Sequence, residues 1–204
     1  TNIGLYLLST IAAHDFGWLG TFAVIERLEA TLDTMNNFER FRGHFYNWYA
    51  THDLRPLDPK YVSTVDSGNL AGHLLALGQA CSEIIDRPVF GPHLLTGIAD
   101  AALLVRASAR AITDDRRTQT VTRKHLDDAF AALIAELSPV PTTPKDWGAR
   151  CTTLEAHAHT LVDIARTLSA ERGEGEDTEV LTWANAVRGT IENHARDLDS
   201  IIPW

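Results

Sequence analysis

Residues 43–80, GHFYNWYATHDLRPLDPKYVSTVDSGNLAGHLLALGQA, are the stretch whose reading decides the fold. Its second half reads as a helix. Asp66 and Asn69 form a start signal, and Leu70, Leu74 and Leu77 follow at helical spacing with Gly72, Ala76 and Gly78 interleaved. Residues this small let neighbours approach closely, so the helix is expected inside a helical array, with Asp66 as its N-cap. It should end near Arg87-Pro88, because proline disfavours the helical conformation in the residue before it. In the first half, HFYNWY alternates as a strand does and runs into a Pro-rich turn, which predicts a short β-hairpin within residues 44–62.

Working outward, residues 3–13 are almost wholly apolar or small, the pattern of a helix buried on most sides. The next segment reads as amphipathic. Phe22, Ile25, Leu28, Leu32 and Met35 recur at three- and four-residue steps, opposite Glu26, Arg27, Glu29 and Asp33.

Beyond residue 91 the apolar seams are regular. Leu95, Ile98, Ala102, Val105, Ala109 and Ile112 form one; Trp147, Cys151, Leu154, Ala158, Leu161, Ala165 and Leu168 a second; Leu181, Ala184, Val187, Ile191 and Leu198 a third. A shorter helix carries Leu126, Phe130, Leu133 and Leu137 and starts at Thr122. SPVPTTP (138–144) and ERGEGEDT (171–178) are connectors too short to separate domains. The expected class is all-α, with about seven helices. The chain is expected to be one helical domain fragment, with residues 1–90 bearing the motifs and 91–204 a bundle.

Composition narrows the function. At 204 residues, 45% hydrophobic and 22% charged, the chain has ordinary globular usage. A net charge of −9 argues against a nucleic-acid footprint, which needs a clustered basic face. Cys81 and Cys151 stand alone, outside any CxxC arrangement. The longest apolar runs fall short of the roughly 20 residues of a membrane span. The opening TNIGLYLLST and the closing SIIPW suggest an excerpt of a longer protein.

Several chemistries find no support. His157 and His159 point to different helix faces, and no zinc-ligand spacing occurs, so no metal is expected. The glycines of RGEGED sit among acids that would repel phosphate, and no cofactor motif is present. The aromatic stretch offers more. Tyr46 and Trp48 would point to one face and Phe45, Asn47 and Tyr49 to the other. Flat rings with polar tips suit a sugar, whose C–H faces lie on a ring while its hydroxyls bond to Asn, Asp or Tyr. The alternative is that the rings plug the core, and composition alone favours it. Asp66 fits a helix cap and also an oxygen presented to a ligand. Asp15, in AHDFGWLG, is either a turn residue or a second polar group at the same rim.

The segments TNIGLYLLS, DFGWLG, ERLEATLDTM, RGHFYNWY and YVSTVDSGNLAGHLLAL, with the closing NHARDLDSIIPW, resemble the cyclic β-1,2-glucan synthases. These are very large proteins of the bacterial inner membrane. The resemblance implies the N-terminal part of a glycoside-hydrolase-like (α/α)6 toroid that closes linear β-1,2-glucan into rings by transglycosylation. Tyr46, Asn47, Trp48 and Asp66 would then face the glucan, with Asp15, Tyr49 and Asn69 as further contacts. The catalytic carboxylates are expected elsewhere in the parent, leaving the fragment inactive alone and without a cofactor. Its partners would be β-1,2-glucan, the remaining domains of the parent and, through uncovered apolar faces, a second copy. The segment itself is expected in solution on the cytoplasmic side.

Overall fold

The computed structural model describes residues 1–112, 120–175 and 177–201. The last three residues of the closing motif and residue 176 of the second connector therefore lie outside the described residues. The class is all-α. Among the described residues, seven α-helices run in chain order: α1 (Asn2–Asp15), α2 (Thr21–Asn36), α3 (Thr64–Asp86), α4 (Pro92–Ser108), α5 (Arg123–Ala135), α6 (Pro144–Glu171) and α7 (Glu179–Ile201). A 3₁₀ turn, Ala109–Ala111, extends α4, and one two-stranded ribbon pairs β1 (Arg40–Phe41) with β2 (His44–Phe45). The chain divides into two compact units, Thr1–His14 with Ala23–Pro88 and Asp15–Phe22 with Val89–Trp204.

The second unit is a bundle in which α7 lies against α4 and α6, and α5 against α6. All three long seams are buried as their spacing predicts, and Leu126 and Leu133 of α5 join the same core. Thr122 precedes α5 as its N-cap, its N–H donating to His125 Nδ1 at 3.1 Å. Thr143 caps α6, its hydroxyl accepting the Asp146 N–H at 3.2 Å with Pro144 at the first helical position.

The segment Asp15–Phe22 is held by polar side chains of α7. Asp197, only 2% exposed, accepts the N–H groups of Thr21, in a very short bond, and of Phe22, at 3.1 Å. These are the first donors of α2, which have no partner inside their own helix, so the carboxylate serves as a cap supplied from far along the chain. Buried His194 donates from Nε2 to the Gly17 carbonyl at 2.8 Å, and the Thr190 hydroxyl donates to the Trp18 carbonyl at 3.3 Å. Glycine is required twice here. Gly17 has φ +73°, and a side chain on it would collide with the His93 backbone; one on Gly20 would sit 2.7 Å from Asp197 Oδ2.

The first unit departs from expectation in five places. α1 buries only Gly4, Leu7, Thr10 and Ile11, while Leu5 and Tyr6 stay about half exposed, so it is covered on one side rather than most. The buried residues of α2 are Ala23, Val24, Leu28 and Met35, and Ile25 and Leu32 are exposed, so the buried stripe is turned toward Val24 from the one expected. In α3 only Leu77 is fully buried, and Val65, Leu75 and Ile85 are exposed. Its N-cap is Ser63, not Asp66: the Ser63 hydroxyl accepts the Asp66 N–H at 3.1 Å, placing Asp66 in the first turn. The ribbon turns at Arg42-Gly43, both at positive φ, so the strand pair is 40–41 with 44–45 and not a hairpin through the prolines. Residues 49 and 56 meet only in an isolated bridge. α3 does end at Asp86, with Arg87 as C-cap.

Two outcomes follow. Asp197→Ala leaves two buried N–H groups without an acceptor and should lower the unfolding free energy by about 2–4 kcal/mol in urea titration; a change under about 0.5 kcal/mol would show that the cap does not stabilise the fold. Burial, with the Glu155 and Asp199 carboxylates adding to it, pushes the Cys151 thiol up to about 11. The thiol is therefore neutral through the neutral range, and a thiol reagent should label half-buried Cys81 first and Cys151 only on unfolding.

Candidate functional site

Within the first unit, a cavity of about 800 Å³ opens beside the starts of α1 and α3. It is lined by residues 1–3, by 43–49 of the ribbon and the loop after it, and by one side of the first turns of α3. The start of α3 and the loop 43–49 therefore converge on the same space, with the positive end of the α3 dipole toward it.

Asp66 lies at this convergence. Its carboxylate receives a very short hydrogen bond from the Thr1 hydroxyl and a bond from Asn47 Nδ2 at 3.2 Å. The hydrogen bonds from Thr1 and Ser63 hold it below the ordinary aspartate range. It is thus a carboxylate across the neutral range, an acceptor and not a proton donor. Among the described residues lining the cavity it is the one acidic side chain.

Asn47 ties the loop to the helix. Its Oδ1 accepts the Ser63 N–H at 3.0 Å while its Nδ2 reaches Asp66, and its own N–H donates to the Tyr61 carbonyl at 2.9 Å. One amide therefore positions both the cap and the carboxylate of α3. His44 Nδ1 lies 3.2 Å from the Ser67 hydroxyl, a second link from the ribbon to the same turn.

The aromatics do not divide by strand alternation, since β2 ends at Phe45 and the Tyr46 and Tyr49 rings meet at 6.4 Å. Tyr49 stacks on Phe38 at 4.0 Å between centroids, and Phe45 meets Phe38 edge-on at 6.0 Å. The Tyr49 hydroxyl accepts the Tyr46 N–H at 2.8 Å and donates to the Glu39 carbonyl at 2.7 Å, and burial raises its pKa. Tyr49 thus braces the loop. Trp48 turns outward, 58% exposed, and stacks with Tyr61, 54% exposed, at 6.5 Å and 27°.

Tyr46, Asn47, Trp48, Tyr49 and Asp66 all line the cavity. Asp15 and Asn69 do not. Asp15 is exposed at the opposite end of α1 from Asn2, and Asn69 is exposed on a side of α3 turned away from the lining residues. Two residues of the site are not singled out by the sequence reading. Ser63 was visible in principle, since S-x-x-D before an apolar run is close to a capping box. Tyr61 carries no local signal: its place beside Trp48 depends on how the loop 50–60 folds back.

No family model matches the chain. Over 200 residues, 97% of its length, it is 36% identical to the cyclic β-(1,2)-glucan synthase NdvB of Rhizobium meliloti (strain 1021), and it spans about 7% of that much longer protein. The resemblance carried by the N-terminal motifs therefore extends across the helical bundle as well. By sequence, the chain is similar to one segment of that cyclic β-(1,2)-glucan synthase.

Proposed function

We propose that the cavity is one wall of a β-1,2-glucan-binding cleft, in the part of a cyclic β-1,2-glucan synthase that closes the linear chain by transglycosylation. The observation that carries this is the exposed Trp48–Tyr61 stack, with Trp48 and Asp66 both lining a cavity of about 800 Å³ at the start of α3. Stacked rings take the C–H faces of a pyranose, and the carboxylate meets its hydroxyls. The volume lies within the range of small-molecule sites.

Transglycosylation needs a pair of carboxylates across the scissile bond. Asp66 has no acidic partner among the described cavity residues and is held ionised, so it binds and orients, and the reacting acids come from other parts of the longer protein. In this reading the segment takes no cofactor and no metal. The fold of the complete domain would be an (α/α)6 toroid, with α1 and α3 as inner helices. The longer protein would reside at the bacterial inner membrane with this segment outside the bilayer; no described helix is long and apolar enough to cross one.

A second reading, a helical scaffold without sugar contact, draws on one observation. Asn47 spends both ends of its amide, and Tyr49 both the acceptor and the donor of its hydroxyl, on the protein itself. The two readings part at Trp48 and Asp66. Trp48→Ala should weaken binding of linear β-1,2-glucan by about tenfold, and Trp48→Ala or Asp66→Ala should abolish cyclisation by the longer protein, with helix content unchanged. Wild-type activity in both folded variants would favour the scaffold.

The open side of α3 suits self-association. Val65, Leu75 and Ile85 are exposed there, and Gly68, Gly72 and Gly78 have open space around them, all within one half of the helix circumference at about 3.6 residues per turn. Light scattering at rising concentration should detect a dimer of the 204-residue chain, lost in Leu75→Glu; a monomer at high concentration would refute it.

A further inference from the structure

The second unit carries another pair of exposed rings. Phe16 and Trp18, 57% and 45% exposed, lie 5.0 Å apart between centroids at 32°. Flanking residues make their backbone rigid. The Gly17 carbonyl is held by His194, the Trp18 carbonyl by Thr190, and the chain leaves into the α2 start capped by Asp197. Gly17 also packs against the α4 backbone at Gly97, where a side chain on either residue would collide. The indole N–H of Trp18 donates to Asp100 of α4 at 3.4 Å, which fixes the ring's edge beside a carboxylate.

Four buried or backbone anchors thus hold a short turn whose two aromatic side chains contribute little to the core. Rings fixed in this way lose little entropy when a ligand settles on them. Their tilt makes a shallow angled surface. Asp100 beside the indole supplies a carboxylate to its edge. Flat apolar faces edged by an acceptor match a neutral chain of sugars better than an acidic ligand, which this carboxylate would repel. We propose that Phe16, Trp18 and Asp100 form a second β-glucan-contacting platform, separate in its residues from the cavity that contains Trp48. The choice of ligand rests on the glucan reading given above; the location rests on this geometry alone.

Binding of linear β-1,2-glucan to the 204-residue chain, followed by isothermal titration with an α-1,4-glucan control, tests the platform. Trp18→Ala should weaken binding about fivefold to tenfold, Trp18→Phe should retain most of it, and Trp18→Ala with Trp48→Ala should weaken it more than either alone. Phe16→Ala, at a side chain with no hydrogen-bonding role, gives the same readout if Trp18→Ala perturbs the turn. Wild-type affinity in folded Trp18→Ala and Phe16→Ala, with Trp48→Ala weakened, overturns the platform and leaves the cavity standing. Weakening by Trp18→Ala alone supports the platform and overturns the cavity, and no effect of any variant overturns both.

Discussion

One side-chain amide sets the geometry of the candidate site. Asn47 accepts from Ser63 and donates to Asp66, so the loop that carries Trp48 and the helix that carries Asp66 share a hinge of two hydrogen bonds, beside the His44–Ser67 contact from the ribbon. Remove it and the Ser63 N–H at the start of α3 loses its acceptor, the carboxylate loses a donor, and the outward ring loses its reference to the helix. The surrounding bonds, from Asn47 N–H to Tyr61 and from Tyr49 to Glu39, stiffen the loop but do not reach α3. Rings and acceptor work together on a ligand only if their separation is fixed in advance.

The bundle of the second unit rests on a different principle. Its core is mostly Leu, Ile, Val and Ala on α4, α5, α6 and α7, held chiefly by hydrophobic burial. Buried polar specificity is concentrated where Thr190, His194 and Asp197, about a turn apart on α7, each take a backbone group of the segment 17–22. A helix face otherwise built for packing thereby becomes a clamp for a turn.

What could be read in advance follows the range of the interactions. The seams of α4, α6 and α7 were legible because packing repeats every three or four residues, and Leu95 or Leu161 announces itself by its neighbours. The gathering of Tyr46, Asn47, Trp48, Tyr49 and Asp66 was legible because all lie within one short stretch. Asp197 was not, since its partners are about 175 residues away and an isolated Asp in an amphipathic helix looks solvated. The Asp66 cap was misplaced by three residues because serine and aspartate are both strong cap formers and only the backbone decides between them. Asp15 and Asn69 fell outside the cavity because adjacency in sequence says nothing about which side of a helix a residue occupies. The burial of α1 and α3 was overestimated for a related reason: apolar composition tells what a helix can cover, not whether anything covers it.

Gly4 has a further consequence. Its missing side chain is where the His73 ring of α3 sits, since a methyl group there would overlap the imidazole. A ring seated in a single-residue notch works as a detent between two helices: sliding α1 by one turn would drive the ring against Leu8 in place of Gly4. Ile3 and Leu74, the neighbours of the notch in sequence, line the cavity, so the depth of its floor is set by an atom that is not there.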